Sequence, residues 1–191
     1  MEHLFLLLVL MLGSYLLGST MGAYWVSRWL NLPDPWCHGS GNPGATNMHR
    51  LGGWMAAVLT LVWDASKGAI GIALTLWLQM ETYAQIFTAV AAVLGHMYPV
   101  FHHFKGGKGV ATVLGCGLVL APLTTLGLTL VWLLLLAWKR VSALASLGAA
   151  CCAPWLSWWL NPDYTILFSV LALFIVFRHR QNINACFSDN K

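Results

Sequence analysis

Long apolar runs that carry almost no charge constrain the fold of this chain more than any other feature. Of its 191 residues, 59% are hydrophobic and 8% are charged, whereas about a quarter of an ordinary soluble domain is charged. Several runs approach the roughly 20 residues that a helix needs to cross a bilayer, and they lack the alternation of barrel strands. We therefore expect an all-α, polytopic transmembrane helical bundle that forms a single integral-membrane domain over residues 1–191.

Polar turns and prolines divide the apolar sequence into about seven predicted membrane helices. The stretch 110–138 is too long for one comfortable span, and Pro122 divides it into two shorter helices. The predicted helices are Leu4–Leu30, Trp54–Met80, Tyr83–Phe101, 110–121, 123–138, Ser142–Leu160 and Tyr164–Phe177.

The positions of the basic residues support this count. The side opposite the basic loops carries Glu2, Glu81 and Asp163, whereas a five-helix count would move Lys139 and Arg140 to that side. By the positive-inside rule, the basic loops and the C-terminus are cytoplasmic and the N-terminus lies outside. With seven crossings, one side holds the loops with Arg28, Arg50, Lys105, Lys108, Lys139, Arg140, Arg178 and Arg180.

The segment Gly39–Arg50 is polar and rich in glycine, in contrast to the apolar runs around it. Its three glycines and one proline are unsuited to a helix interior, so we expect a loop. Such a loop can surround a small anion with backbone N–H groups, hydroxyls and amides, and Arg50 can bind the anion through two hydrogen bonds. The alternative is an ordinary surface connection between two helices.

A second polar segment, His102–Gly109, contains Lys105 and Lys108 with two glycines between them. The glycines allow close backbone approach and the lysines supply positive charge, which together suit a phosphate group. The spacing is not that of a Walker A motif. The segment runs directly into the predicted helix at Val110, whose N-terminal end attracts anions.

The predicted topology places both glycine-rich segments and Arg178–Asn182 on the cytoplasmic face, each equipped to bind phosphate. A nucleic-acid partner is not expected, because there is no extended basic surface or soluble reading domain. The G-x-G-x-x-G spacing at Gly39, Gly41 and Gly44 follows no strand and so predicts no dinucleotide site. No metal ion and no organic cofactor is expected, because acidic ligands are scarce on this face.

Two charged residues fall inside the second apolar run. Asp64 and Lys67 are three positions apart and so face the same way on a helix. Charges at membrane depth are costly and are usually paired or functional. An ion pair that braces the bundle and a direct contact with substrate are both open. His96, near the end of the third run, is expected to pack or to form hydrogen bonds.

Three motifs resemble those of the bacterial acyl-phosphate:glycerol-3-phosphate acyltransferases. They are G-S-G-N-P-G-A-T-N at 39–47, F-K-G-G-K-G-V-A-T at 104–112 and R-H-x-x-N at 178–182. The resemblance covers nearly the whole chain. It implies a multi-pass enzyme of the bacterial inner (plasma) membrane with a cytoplasmic active site. The implied reaction transfers a fatty acyl group from acyl phosphate to the 1-hydroxyl of sn-glycerol 3-phosphate, giving lysophosphatidic acid and phosphate.

The resemblance also implies roles for individual residues. The family's usual serine after a lysine or arginine corresponds here to Ser142 or to Ser146, because the flanking residues differ. Catalytic roles are implied for Ser40, Asn42, Arg50, His179 and Asn182. Substrate-binding roles are implied for Thr46, Lys105, Gly106, Gly107, Lys108, Gly109 and Ser142.

The chemistry of acyl phosphate favours a direct mechanism. This donor is an activated mixed anhydride, so the substrate hydroxyl can attack it without an acyl-enzyme intermediate. Either a substrate phosphate oxygen or His179 can accept the proton. The alternative function is a small organic-phosphate membrane transporter, with Asp64 and Lys67 as a gate. Against it, the basic groups cluster at one surface rather than at the midplane, and no inverted repeat is evident.

Overall fold

The computed structural model describes residues 2–188, in which all the regular secondary structure is helical and no β-strand occurs. Two short 3₁₀ helices, Val100–His102 and Pro162–Tyr164, interrupt the α-helices. The described residues form two compact units that divide between Val119 and Leu120. The α-helices are α1 Glu2–Gly18, α2 Gly22–Trp29, α3 Ala45–Trp77, α4 Thr82–Met97, α5 Val110–Leu120, α6 Pro122–Lys139, α7 Ser142–Leu160, α8 Thr165–Arg178 and α9 Arg180–Ser188.

Five described segments are long and apolar enough to cross a membrane. Many of their leucine, valine and isoleucine side chains are exposed, as expected for surfaces that face lipid. Strongly exposed tryptophans lie near the helix ends, at Trp77, Trp138 and Trp159, where indole rings favour the membrane interface. The all-helical membrane class is thereby confirmed, whereas seven crossings, the orientation of the termini and one domain stay predictions. The five segments are His3–Trp29, Ala45–Trp77, Thr82–His102, Pro122–Lys139 and Ser142–Leu160.

The later helix boundaries follow the predicted ones closely. The loop before α5 ends at Gly109, the helix break falls at Ala121 before Pro122, and α7 begins at Ser142 as predicted. Proline at the first position of α6 has no N–H to leave unpaired, which suits a helix start. The third predicted helix is shorter than expected: α4 stops at Met97, because a 3₁₀ turn follows Pro99.

The prediction of one continuous helix over Leu4–Leu30 is wrong. The chain leaves the helix after Gly18 and enters α2 at Gly22, with an extended residue at Met21. The Ser19 hydroxyl donates to the Tyr15 carbonyl and so satisfies a carbonyl near the end of α1. Two charged side chains of α3 satisfy further groups of this break, as described below.

The predicted loop Gly39–Arg50 is also wrong in its second half, since α3 begins at Ala45. The seven residues from Ala45 to Leu51 contain neither glycine nor proline, and the extended Gly44 precedes their first turn. Glycine and proline disfavour helix only at 39–44. The helix then kinks at Gly52 and Gly53, where Gly53 takes a positive φ of 73°. The expected helix start at Trp54 therefore marks a kink.

Small residues allow close helix contacts in the first unit. A Cβ at Gly18 would meet the Ala92 backbone carbonyl, and one at Gly95 would meet the Tyr15 carbonyl, so α1 and α4 pack closely at both glycines. Gly13 of α1 differs, since a Cβ there would have no neighbour within 4 Å. In the second unit, α7 packs against both α6 and α8.

Candidate functional site

Asn47, a buried residue of the first turn of α3, holds the first glycine-rich loop in place. Its side-chain oxygen accepts a hydrogen bond from the Ser40 backbone N–H at 2.8 Å. Its side-chain nitrogen donates to the carbonyls of Pro35 at 3.1 Å and His38 at 3.0 Å. Only glycine fits at position 39, where φ is 65° and a Cβ would meet the Asn47 amide oxygen. The Asn47 side-chain amide thus fixes the position of the backbone at Pro35, His38 and Ser40.

The predicted residues of the first motif lie around this turn. Ser40 is exposed and Asn42 is partly buried in the loop, while Thr46 and Arg50 occupy the first two turns of α3. Since Thr46 and Arg50 are four positions apart, they share one face of that helix. Asn47 has the most contacts of the segment, and sequence reasoning missed it because a buried amide looks like any other polar loop residue.

The second loop lies against the end of α4, and its glycines have no room for side chains. The Gly107 N–H donates to the His96 backbone carbonyl at 3.1 Å. A Cβ at Gly106 would meet that same carbonyl and the ring of Pro99, and a Cβ at Gly107 would meet the His96 imidazole at Nε2. Both glycines are buried. Their smallness is therefore a packing requirement, whereas the expected close approach of their backbone to a phosphate stays a prediction.

The loop ends at Gly109, which takes a φ of 84° and directly precedes α5. A Cβ there would lie 2.6 Å from the Met97 side chain, so both conformation and space require glycine. The Gly109 carbonyl accepts the Val113 N–H and so begins the helix. Lys105 is exposed and Lys108 is partly buried beside this helix start. The arrangement offers an N-terminal helix dipole and two cations to an anion.

The two loops contact each other in the first unit. The indole N–H of Trp36 donates to the Lys105 carbonyl at 2.7 Å. The Trp36 ring also stacks on the His102 ring, with centroids 5.1 Å apart, and the Tyr24 ring lies 5.0 Å from the same imidazole. Trp36 lies shortly before Gly39, so the chain that leads into the first glycine-rich segment contacts the second segment.

Asp64 and Lys67 form a buried ion pair, with Nζ 2.9 Å from Oδ1. The Lys67 ammonium also donates to the Thr20 carbonyl at 2.6 Å. The same Asp64 oxygen accepts the Gly22 N–H at 3.2 Å and lies 3.6 Å from Nδ1 of His96. The bracing interpretation of the pair is confirmed. Its partners lie in the break between α1 and α2, in α2 and in α4, up to 47 positions away in sequence, so no local pattern could have revealed them.

The remaining predicted residues belong to the second unit. His179 is buried at the end of α8, with Nδ1 2.8 Å from the Ile175 carbonyl. Because a carbonyl only accepts, Nδ1 carries the hydrogen and Nε2 is the acceptor nitrogen of the neutral ring. Asn182, in α9, and Ser142, the first residue of α7, are partly buried. The role of each stays a prediction.

Ser142 and Ser146 are the two alternatives for the serine that follows a lysine or arginine in the family that the sequence resembles. Ser146 is buried, its hydroxyl donates to the Ser142 carbonyl at 2.9 Å, and it accepts the Trp132 indole N–H at 3.1 Å. The first bond lies within α7, and the second joins α6 to α7. Ser142 is therefore the better candidate of the two for substrate contact.

A cavity of about 410 Å³ lies beside the first loop. Its lining includes Arg28 and Asp34 and none of the predicted site residues. The Arg28 guanidinium lies over the Tyr24 ring, 5.4 Å from its centroid. The full lining is Tyr24, Ser27, Arg28, Asn31, Leu32, Asp34 and Pro35.

Comparison with known proteins shows one consistent similarity along nearly the whole chain. The family model described as glycerol-3-phosphate acyltransferase matches residues 8–189. A protein named glycerol-3-phosphate acyltransferase from Hahella chejuensis is 61% identical over 183 residues, which cover 96% of this chain and 94% of the relative. The protein of the same name from Methylobacillus flagellatus is 47% identical over 92% of this chain and 90% of the relative.

Two solved structures have a similar fold. Both are crystal structures of PlsY (YgiH), described as an integral membrane glycerol 3-phosphate acyltransferase, and both are 36% identical to this chain. The glycerol 3-phosphate form has a TM-score of 0.88 and covers 97% of this chain and 94% of its own. The lysophosphatidic acid form has a TM-score of 0.87 and covers 97% and 93%.

Proposed function

This chain belongs to the glycerol-3-phosphate acyltransferase family, and we propose that it transfers a fatty acyl group from acyl phosphate to the 1-hydroxyl of glycerol 3-phosphate. The products are lysophosphatidic acid and inorganic phosphate. The observation that carries the proposal is the Trp36–Lys105 hydrogen bond, because it ties the chain just before the first glycine-rich segment to the second segment. A reaction between two phosphate-bearing substrates needs such a pair of anion sites side by side.

We assign the phosphate of the acceptor to the second loop. Its buried glycines bring the backbone close to a ligand, and the start of α5 and the two lysines, Lys105 and Lys108, supply positive potential. Backbone amides and a helix end are fixed in direction, so they bind a dianion with little reorganisation. Gly106, Gly107 and Gly109 therefore act through their lack of a side chain.

We assign the donor and the reacting carbonyl to the first motif. Arg50 and Thr46 share one face of α3, so a guanidinium and a hydroxyl can bind the same phosphate. Ser40 and Asn42, which lie in and beside the exposed turn, supply further hydrogen bonds. A phosphate held in this way is a better leaving group, because the charge that develops on it is stabilised.

The proposed chemical step is direct. The 1-hydroxyl oxygen of glycerol 3-phosphate attacks the acyl carbonyl carbon, a carbon–oxygen ester bond forms, and the bond from that carbon to the phosphate oxygen breaks. The hydroxyl proton passes to a substrate phosphate oxygen or to His179. Trapping of an acyl group covalently bound to the protein would contradict this proposal.

The role of His179 has its own test, the substitution His179→Ala with turnover measured across pH. If a substrate phosphate is the proton acceptor on its own, activity falls only modestly. A near-complete loss at every pH would instead assign the proton to the Nε2 acceptor of His179. The same series with Asn182→Ala and Ser142→Ala tests the other predicted residues of the second unit.

The chain is an integral membrane protein, and we place it in the bacterial inner membrane with the two loops on the cytoplasmic side. Glycerol 3-phosphate is water-soluble and cytoplasmic, whereas the acyl chain is apolar, so the reaction suits a membrane surface. The positive-inside distribution of the loop lysines and arginines supports the orientation.

One assay tests the proposed activity. Protein purified in detergent, without vesicles, is given glycerol 3-phosphate and acyl phosphate. It should release one phosphate for each lysophosphatidic acid formed. A protein that only moves organic phosphates across a bilayer would release no inorganic phosphate, and that result would favour the transporter alternative.

A further inference from the structure

Asp64 lies at the centre of a buried network that connects three parts of the first unit. One carboxylate oxygen contacts the Lys67 ammonium at 2.9 Å, the Gly22 N–H at 3.2 Å and Nδ1 of His96 at 3.6 Å. Asp64 and Lys67 are each 2% exposed or less. Burying two charges in an apolar bundle is costly, and a buried ion pair often adds no net stability. The pair therefore braces the bundle at a cost, and the positions of its partners indicate a second role.

The first part is the break between α1 and α2. Lys67 donates to the carbonyl of Thr20 just beyond the end of α1, and Asp64 accepts the N–H of Gly22 at the start of α2. A helix end leaves carbonyls unpaired and a helix start leaves N–H groups unpaired. The cation therefore sits at the end of one helix and the anion at the start of the next, which is the favourable arrangement for both helix dipoles.

The second part is the chain segment that leads into the second loop. The Ser19 hydroxyl, at the break, accepts the Val100 N–H at 3.3 Å. The Tyr15 hydroxyl donates to the Tyr98 carbonyl at 2.8 Å. The helix break thus fixes the backbone at 98–100, immediately before the loop.

The third part is the second loop itself, which rests on His96. The imidazole faces Asp64 with Nδ1, and its Nε2 fills the space in which a Gly107 side chain would lie. The His96 carbonyl accepts the Gly107 N–H and fills the corresponding space at Gly106. The ring therefore limits where the Gly107 backbone can lie, and the His96 carbonyl limits where the Gly106 backbone can lie.

We propose that Asp64 is a positioning residue for the glycerol 3-phosphate loop, and that it acts through His96 on Gly106 and Gly107 and through Lys67 on the helix break. The inference rests on the proposed function, because it assigns the second loop to the acceptor's phosphate. Asp64 itself does not touch the substrate. Its carboxylate holds the imidazole in one orientation, so the loop amides keep the direction in which they bind the phosphate dianion.

The test compares Asp64→Asn with wild type in the detergent assay, with KM measured separately for each substrate. The amide keeps the size of the side chain and removes its charge. We expect KM for glycerol 3-phosphate to rise about tenfold, the scale on which loss of a contact to a charged group weakens binding. KM for acyl phosphate should stay within about twofold, since the first loop has its own support from Asn47.

His96 provides a second, independent pair of variants. His96→Asn keeps a nitrogen near the Nδ1 position, and His96→Gln keeps one near the Nε2 position. Each should raise KM for glycerol 3-phosphate selectively, because neither amide spans the distance from Asp64 to Gly107. These variants leave the Asp64–Lys67 ion pair intact, so they decide the question if Asp64→Asn fails to fold.

The matched control is Thr75→Val, which removes a fully buried polar group from the same helix. The Thr75 hydroxyl donates only to the Ile72 carbonyl in the described contacts and lies apart from the network. Both KM values of this variant should equal those of wild type.

The outcomes separate the two proposals. An inactive wild-type protein overturns the proposed function. An active wild type whose Asp64 or His96 variants keep a normal KM for glycerol 3-phosphate overturns the positioning role alone. Equal rises in both KM values overturn it as well, because they indicate a general loss of structure.

Discussion

The two glycine-rich loops have similar compositions and are held in place by different forces. The turn of the first loop is exposed and is held in place by hydrogen bonds, three of which involve the side-chain amide of Asn47. The glycines of the second loop are buried and are enclosed by the atoms of His96, Met97 and Pro99, which leave no space for a side chain.

This difference predicts different tolerances to substitution. A loop held by hydrogen bonds can lose one partner and replace it with water, because it lies at the surface. A loop enclosed by packed atoms cannot make room for an added side chain, because protein interiors adapt poorly to added volume. The second loop should therefore be the more sensitive of the two, and three substitutions test that ranking.

Gly107→Ala should have the largest effect. The new methyl group would collide with the His96 imidazole and displace the loop backbone. We expect kcat/KM for glycerol 3-phosphate to fall by about 100-fold, the scale of an ångström-sized misplacement. Gly13→Ala is the control, since a Cβ there meets nothing within 4 Å and activity should not change. Normal activity of Gly107→Ala would show that the loop is not confined.

Asn47→Ala should have an intermediate effect. The substitution removes all three hydrogen bonds of a buried amide and destabilises the protein by about 1–3 kcal/mol. We expect a lower thermal unfolding temperature and a rise in KM for acyl phosphate, measured on the same preparation. A loss larger than that of Gly107→Ala would reverse the ranking of the loops.

Trp36→Phe should have the smallest effect. It removes the hydrogen bond to the Lys105 carbonyl while keeping an aromatic ring against His102. One neutral hydrogen bond is worth about 0.5–1.5 kcal/mol, so kcat/KM should fall about two- to tenfold. An unchanged kcat/KM would mean that the two loops keep their positions without this contact.

The sequence predicted the features that depend on local chemistry. Helix starts at Val110 and Ser142 follow from a glycine and from a polar break, and the apolar runs indicate a membrane bundle whatever their packing. The glycines of the second loop were expected to let the backbone approach a phosphate, which stays a prediction, and in the fold they allow close packing against His96 and Met97.

The features that depend on distant partners were missed. The break after Gly18 lies in an apolar run and is stabilised by Asp64 and Lys67, more than 40 positions away. The helix start at Ala45 was not predicted, because the glycines of 39–44 dominate the composition of the segment 39–50. His96 was expected to pack or to form hydrogen bonds, but its two neighbours, Asp64 and Gly107, come together only in the fold.

The most direct test of the account is the division of labour between the two loops. KM for each substrate is measured in Lys108→Met and in Arg50→Gln, with the other substrate saturating. We predict that Lys108→Met raises KM for glycerol 3-phosphate about tenfold or more and leaves that for acyl phosphate unchanged, and that Arg50→Gln does the reverse. If both variants raise the same KM, the two loops bind one phosphate together, and the assignment of one substrate to each loop is contradicted.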